Sequence, residues 1–130
     1  MTHRVSFLPG RHQAVVEVRI GLDLKASLLV DTGADRTILV PSMMHRLGLK
    51  QSDQLGSRRV CGVGGQQVAP TFLLDRMMVG ALVLVKHEVT IVDLPNMLRV
   101  DGLLGLDVLR RFRVTFEFDT RTLVLRALPA

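Results

Sequence analysis

A mainly β protein is predicted by three observations. Eleven Gly and five Pro cut the sequence into short pieces, those pieces are rich in Val, Leu and Ile, and several of them alternate apolar with polar residues. Only one or two short stretches carry a helical pattern. Hydrophobic residues make up 48% of the 130, enough to fill a core, and no repeat, low-complexity tract or linker interrupts them. One continuous domain over residues 1–130 is expected.

Ala14, Val16, Val18 and Ile20 fall on one side of an alternating segment with Glu17 and Arg19 on the other, which predicts a half-buried strand from Ala14 to Ile20. Gly21-Leu22-Asp23 then turns the chain, and Lys25 to Val30 returns as a second strand that stops at Asp31-Thr32-Gly33-Ala34. Thr37 to Val40 reads as extended. Pro41 suits the first turn of a short helix, with Met43, Met44 and Leu47 on one face and Gly48 as its stop. Val60 to Val68 brackets Gly62-Val63-Gly64-Gly65, a glycine cluster expected at the tip of a mobile hairpin. Leu82 to Val92 is a long strand candidate. Beyond Pro95-Asn96 come Val100-Asp101-Gly102-Leu103-Leu104-Gly105 and a helical turn from Leu106 to Arg111. The chain closes on a hairpin: Val114, Phe116 and Phe118 alternate with Thr115 and Glu117, Asp119-Thr120-Arg121 turns, and Leu123 and Leu125 return against Arg126.

Several function classes are disfavoured by composition. The opening MTHRVSFLPGRHQ lacks the apolar stretch of about 7–15 residues that a secretory signal needs, and the longest apolar run, Met77 to Val85, is too short to cross a bilayer before Lys86. A cytoplasmic protein without a membrane partner is the expectation. The single cysteine, Cys61, excludes an internal disulfide and a cysteine-rich zinc site. A formal net charge of +5, from 17 basic and 12 acidic residues, favours polyanions through long-range electrostatics. The basic residues are scattered, however, with only Arg58-Arg59 and Arg110-Arg111 adjacent, and there is no Trp or Tyr to stack on bases. Nucleic acid is therefore not the expected partner. His3, His12, His45 and His87 lack ligand spacing, and Gln67 stands where a dinucleotide fingerprint starting at Gly62 needs its last Gly. Neither a metal nor a cofactor is expected.

The segment Leu28-Leu29-Val30-Asp31-Thr32-Gly33-Ala34-Asp35 carries the most chemistry. Its apolar residues lead a strand into a dry site, Thr32 offers a short hydroxyl that can tie the loop to a partner, and Gly33 lets backbone approach the carboxylate closely. Hydrolysis of a peptide without a metal or a covalent intermediate requires a base to activate water and an acid to protonate the amide or carbonyl. Two carboxylates sharing one proton meet both needs, because like charges held close push their pKa values apart. Only one suitable aspartate motif exists in this chain, so a second copy must supply the other carboxylate. Taken alone, the same residues also fit an Asx-turn at a strand end.

Leu103-Leu104-Gly105 is the second element: two apolar residues and a glycine let one strand pass close beneath the Asp31 loop, though an ordinary buried strand end has the same composition. With the glycine hairpin tip between them in sequence, the two motifs resemble the retropepsin family of dimeric aspartic proteases, over roughly Val15 to Leu125. The run from Leu103 to Arg111, followed by the terminal hairpin, is similar to the carboxyl half of cellular retropepsin-like domains of the DNA-damage-inducible type and their bacterial single-domain relatives. Viral members usually place Arg where Leu106 stands. That departure removes an expected ion pair with Asp35 and leaves its partner open.

The resemblance implies a single-domain acid protease fold, a closed β barrel-like sheet with one or two short helices, active as a homodimer. It implies an aspartic endopeptidase acting on protein or peptide substrates, with Asp31 catalytic and Thr32 the reciprocal hydrogen-bonding residue at the dimer centre. Gly33 would offer its carbonyl to substrate, with Ala34 completing the loop and Asp35 beside the peptide. Val63, Gly64 and Gly65 would form a flap over the substrate, while Ile38 and Leu103 would line its side-chain pockets. The flap lacks the aromatic residue of pepsin-like enzymes, in keeping with a retropepsin. A non-catalytic peptide-binding or dimerisation module with the same fold and a basic nucleic-acid binder are the rival readings.

Overall fold

The computed structural model describes residues 1–62 and 65–129. Its strands are β1 (Thr2–Ser6), β2 (Val15–Ile20), β3 (Leu24–Val30), β4 (Ile38–Leu39), β5 (Gly56–Gly62), β6 (Gly65–Val79), β7 (Leu82–Ile91), β8 (Gly102–Leu104), β9 (Phe112–Glu117) and β10 (Thr122–Ala127), with two short helices, α1 (Pro41–Leu47) and α2 (Leu106–Leu109). The mainly β prediction holds. Strands run in the order β2-β3-β8-β4-β7-β6-β5, and a further pairing of β2 with β6, Val18 opposite Val79 and Ile20 opposite Met77, closes six of them into a barrel. Among the described residues β5 lies outside this closure and pairs only with β6.

Alternation explains the barrel wall. In β2 the residues Val16, Val18 and Ile20 are buried while Glu17 and Arg19 face out, and β3 returns in register with Val16 opposite Leu28. The barrel is filled by Val16, Val18, Leu28, Leu39, Phe72, Met77, Val89 and Leu104, all at most 1% exposed. Each such side chain contributes about 1.5–3 kcal/mol on burial. The first helix forms as predicted, with Pro41 at its start, Met43 buried against the barrel and Gly48 at its end.

Three features depart from the reading of the sequence. β1 had no visible signal, since only Val5 of Thr2–Ser6 is buried; it forms by pairing with β10, Thr2 opposite Arg126 and Ser6 opposite Thr122, in a separate three-stranded sheet ordered β1-β10-β9. The apolar run Met77 to Val85 folds back on itself, with Val79 opposite Leu82. The helical turn expected to reach Arg111 stops at Leu109. Among the described residues no helix is long and apolar enough to cross a membrane.

One crossing positions the site. β8 lies between β3 and β4, parallel to β3 with Val30 opposite Leu104, and antiparallel to β4 with Ile38 opposite Leu103. The chain leaves β3 at Asp31 and enters β4 at Ile38, so the intervening loop arches over the end of β8.

Candidate active site

Asp31 stands at the mouth of that arch, half-buried, with Thr32 and Gly33 exposed beside it. Its amide donates to the Leu104 carbonyl at 3.0 Å, and its own carbonyl accepts from Ala34 N at 3.2 Å. The side chain is oriented by the Gly33 amide, which donates to Oδ1 at 2.8 Å. Among the described residues Oδ2 accepts no hydrogen bond. One oxygen is thus held by the loop's own backbone while the other remains available for a proton or a water.

The segment after β8 clamps the same loop from below. Leu106 N donates to the Ala34 carbonyl at 2.8 Å and Asp107 N to the Asp35 carbonyl at 3.1 Å. Gly105 must be glycine for this approach: a Cβ there would lie 2.6 Å from the Arg36 carbonyl carbon and oxygen and 2.8 Å from the Ala34 oxygen.

A buried polar cluster completes the clamp. Thr37 donates to Asp107 twice, from its amide to Oδ2 at 3.0 Å and from its hydroxyl to Oδ1 at 2.8 Å, while the hydroxyl accepts from Gly105 N at 3.3 Å. His87 Nε2 lies 3.1 Å from Asp107 Oδ2, and Val108 N donates to Oδ1 at 3.0 Å. Burial by itself raises a carboxyl's pKa, but donation from His87 and Thr37 and the charge of His87 outweigh it, so Asp107 is held below the ordinary aspartate value of 3.8. An ionised carboxylate only accepts, which makes Nε2 the donor.

Thr37, Asp107 and His87 were given no role from the sequence. Thr37 and Asp107 flank the two recognised motifs, and that adjacency was the available signal; His87 had none. Of the predicted pocket residues, Ile38 and Leu103 are brought together in a small apolar cluster with Ala69 and Val92, against which Leu29, Ala34, Val60 and Leu94 pack. This cluster joins the Asp31 loop to the root of the β5–β6 hairpin. Asp35 is exposed, and among the described residues its carboxylate has no ion-pair partner; it shares a surface pocket with Arg36, Lys86, Arg110 and Arg111.

The hairpin predicted as a flap pairs from Gly56 opposite Thr71 to Gly62 opposite Gly65. Val63 and Gly64 lie outside the described residues. Gly65 has φ +108°, a conformation that residues with a Cβ rarely adopt. Residues 65–68 are exposed, and Cys61 on the facing arm is a free, exposed thiol.

Residues 16–108 match the family model described as Aspartyl protease. Among solved structures the chain is similar to a retropepsin-like aspartic protease from Rickettsia conorii, at a TM-score of 0.69 and 18% identity, over 96% of this chain and 89% of that one. At that identity the likeness concerns the fold. No curated protein sequence matches the chain.

Proposed function

The chain belongs to the aspartyl protease family, and from that premise we propose that two copies form an endopeptidase whose paired Asp31 carboxylates cleave extended peptides. The observation that carries this reading is the state of Asp31: Oδ1 held by Gly33 N at 2.8 Å, Oδ2 free among the described residues, on a loop clamped by residues 104–107. A carboxylate presented in this way serves as half of an acid–base pair. Thr32 is exposed beside it, and in the dimer its hydroxyl ties one loop to the other across a twofold axis.

Magnitude decides how such a pair ionises. Two carboxylates about 3 Å apart repel by roughly 5 kcal/mol at an effective dielectric constant of about 20, equivalent to about four pKa units. The pair therefore keeps one proton across the mildly acidic range. The ionised member takes a proton from water as its oxygen attacks the peptide carbonyl carbon, and the protonated member donates to the carbonyl oxygen. Proton transfer to the amide nitrogen then lets the C–N bond break, releasing a carboxyl and an amine and restoring the shared proton. Substrate lies extended as an added strand under the hairpin whose described arms run to Gly62 and from Gly65. Ile38 and Leu103, with the cluster around them, favour apolar side chains beside the cut, and Asp35 lies further along the peptide.

A peptide-library cleavage assay across pH, paired with sedimentation, tests this. The expected result is a bell on the acidic side of neutrality, with two apparent pKa values that belong to the pair, and activity that tracks the dimer. Full activity in a strictly monomeric species, or a rate rising steadily into alkali, would overturn it.

A further inference from the structure

β7 breaks its own alternation. Leu84 is buried and Val85 exposed, so Lys86 should turn inward and His87 outward; instead Lys86 is exposed and His87 is 6% exposed. The cause is local. Lys86 has φ +49°, a left-handed conformation that a residue with a Cβ adopts only under constraint, and the phase of the strand shifts by one at this residue, in step with the facing strand, where Asp75 and Arg76 are both exposed between buried Leu74 and Met77. From His87 onward the opposite set of side chains faces the interior, with Val89 and Ile91 buried. The strained residue thus delivers an imidazole to a barrel wall where an apolar side chain would have been simpler to bury.

His87 meets a carboxylate that lacks only this donor. Asp107 Oδ1 accepts from the Thr37 hydroxyl and Val108 N, and Oδ2 from Thr37 N, which leaves one of its roughly four acceptor directions for Nε2. The saturated carboxylate joins three segments: Thr37 at the end of the Asp31 loop, the turn after β8 that donates to the Ala34 and Asp35 carbonyls, and β7. We propose that His87 is a positioning residue for the Asp31 loop, held inward by the left-handed turn at Lys86 so that Asp107 can fix Thr37 and the 104–107 segment beneath the reacting carboxylate. The proposal rests on the catalytic reading of Asp31 for its kinetic arm and on this structure alone for its spectroscopic arm.

The kinetic arm compares His87→Leu, which fills the space without a donor, with His87→Gln, whose Nε2 can reach the same oxygen. Loss of positioning lowers kcat by about 10–100-fold with KM within about twofold, and His87→Gln restores most of kcat. Lys86→Val resists the positive φ and loosens the turn that holds His87 inward, so it reproduces the kcat loss; Lys86→Gly keeps the turn and the wild-type rate. Should His87→Leu fail to fold, Lys86→Val against Lys86→Gly makes the same comparison. The spectroscopic arm needs no turnover: amide resonances of Gly33 and Ala34 shift in His87→Leu and Lys86→Val and return in His87→Gln. A chain that cleaves nothing would sink the protease reading and leave this arm to decide. Unchanged loop amides, or equal losses in His87→Leu and His87→Gln, would overturn the positioning role.

Discussion

The Asp31 loop and the β5–β6 hairpin meet at one apolar cluster yet are held in opposite ways. The loop gives its backbone to the barrel: Asp31 N to Leu104, the Ala34 and Asp35 carbonyls to residues 106 and 107, and Thr37 twice to Asp107. Among the described residues the hairpin beyond Thr71 gives its backbone only to itself, from Ser57 opposite Pro70 to Gly62 opposite Gly65, and besides the apolar packing of Val60 and Ala69 its side-chain tie to the barrel is Arg58 to Glu88 at 2.7 Å. The difference separates two requirements of catalysis. Charge development calls for groups that do not reorganise, whereas entry of a polymer calls for an element whose opening leaves the core intact. Low local stability belongs to the second element.

Changes on the loop side should have the larger effects. Asp31→Asn keeps the side-chain shape but removes the base, so cleavage should fall by at least about 10²–10⁴-fold with thermal unfolding unchanged; cleavage at the wild-type rate would show that another group does the chemistry. Gly105→Ala brings a Cβ within 2.6 Å of the Arg36 carbonyl, and should destabilise the fold by about 1–3 kcal/mol while also lowering turnover, read by denaturant melts and kinetics. Gly65→Val carries a comparable local strain, about 1–3 kcal/mol, but where opening is independent of the core. It should slow turnover and leave the global melt nearly unmoved. If it lowered the melting temperature as much as Gly105→Ala, the two regions would be one cooperative unit and the contrast would fail.

Acid should act on the clamp before it acts on the hairpin. Asp107 is held below its ordinary value of 3.8, so the folded state prefers its ionised form. That contribution is fully present above the ordinary value and is lost as pH falls through the lower folded-state value. A plot of stability against pH should therefore drop below about pH 4, more steeply in the wild type than in Asp107→Asn. Parallel curves would mean that the clamp does not depend on this carboxylate's charge. The smallest effect is expected at Arg58→Ala. The ion pair with Glu88 is one-third exposed on both sides and Arg58 Nε is buried without a partner among the described residues, so the loss should stay under about 1 kcal/mol and shrink in high salt.

Legibility varied along the chain for physical reasons. β2, β3, β7 and the β9–β10 hairpin were readable because each alternates or is bounded by a turn, and α1 because Pro41 and Gly48 mark its ends. β1 was not, because its stability comes from a ladder with residues more than a hundred positions away and only Val5 contributes burial. Asp31 and Gly105 were legible as motif residues. Thr37 and Asp107 sat within reach of those motifs, but nothing local distinguishes a buried clamp from a solvated pair.

By itself the sequence determined the β class, the Asp31-Thr32-Gly33 loop at a strand end and the glycine that permits close approach, since periodicity, turn chemistry and the absence of a Cβ are properties of neighbouring residues. Tertiary structure decided the rest. Barrel closure by β2 and β6, the insertion of β8 between β3 and β4 and three of the four donors around Asp107 all join segments distant in sequence. His87 shows the limit most clearly: regular alternation from Leu84 points it to solvent, and the left-handed turn at Lys86, matched by a phase shift in the facing strand and balanced by a hydrogen bond to a carboxylate twenty residues away, brings it inward.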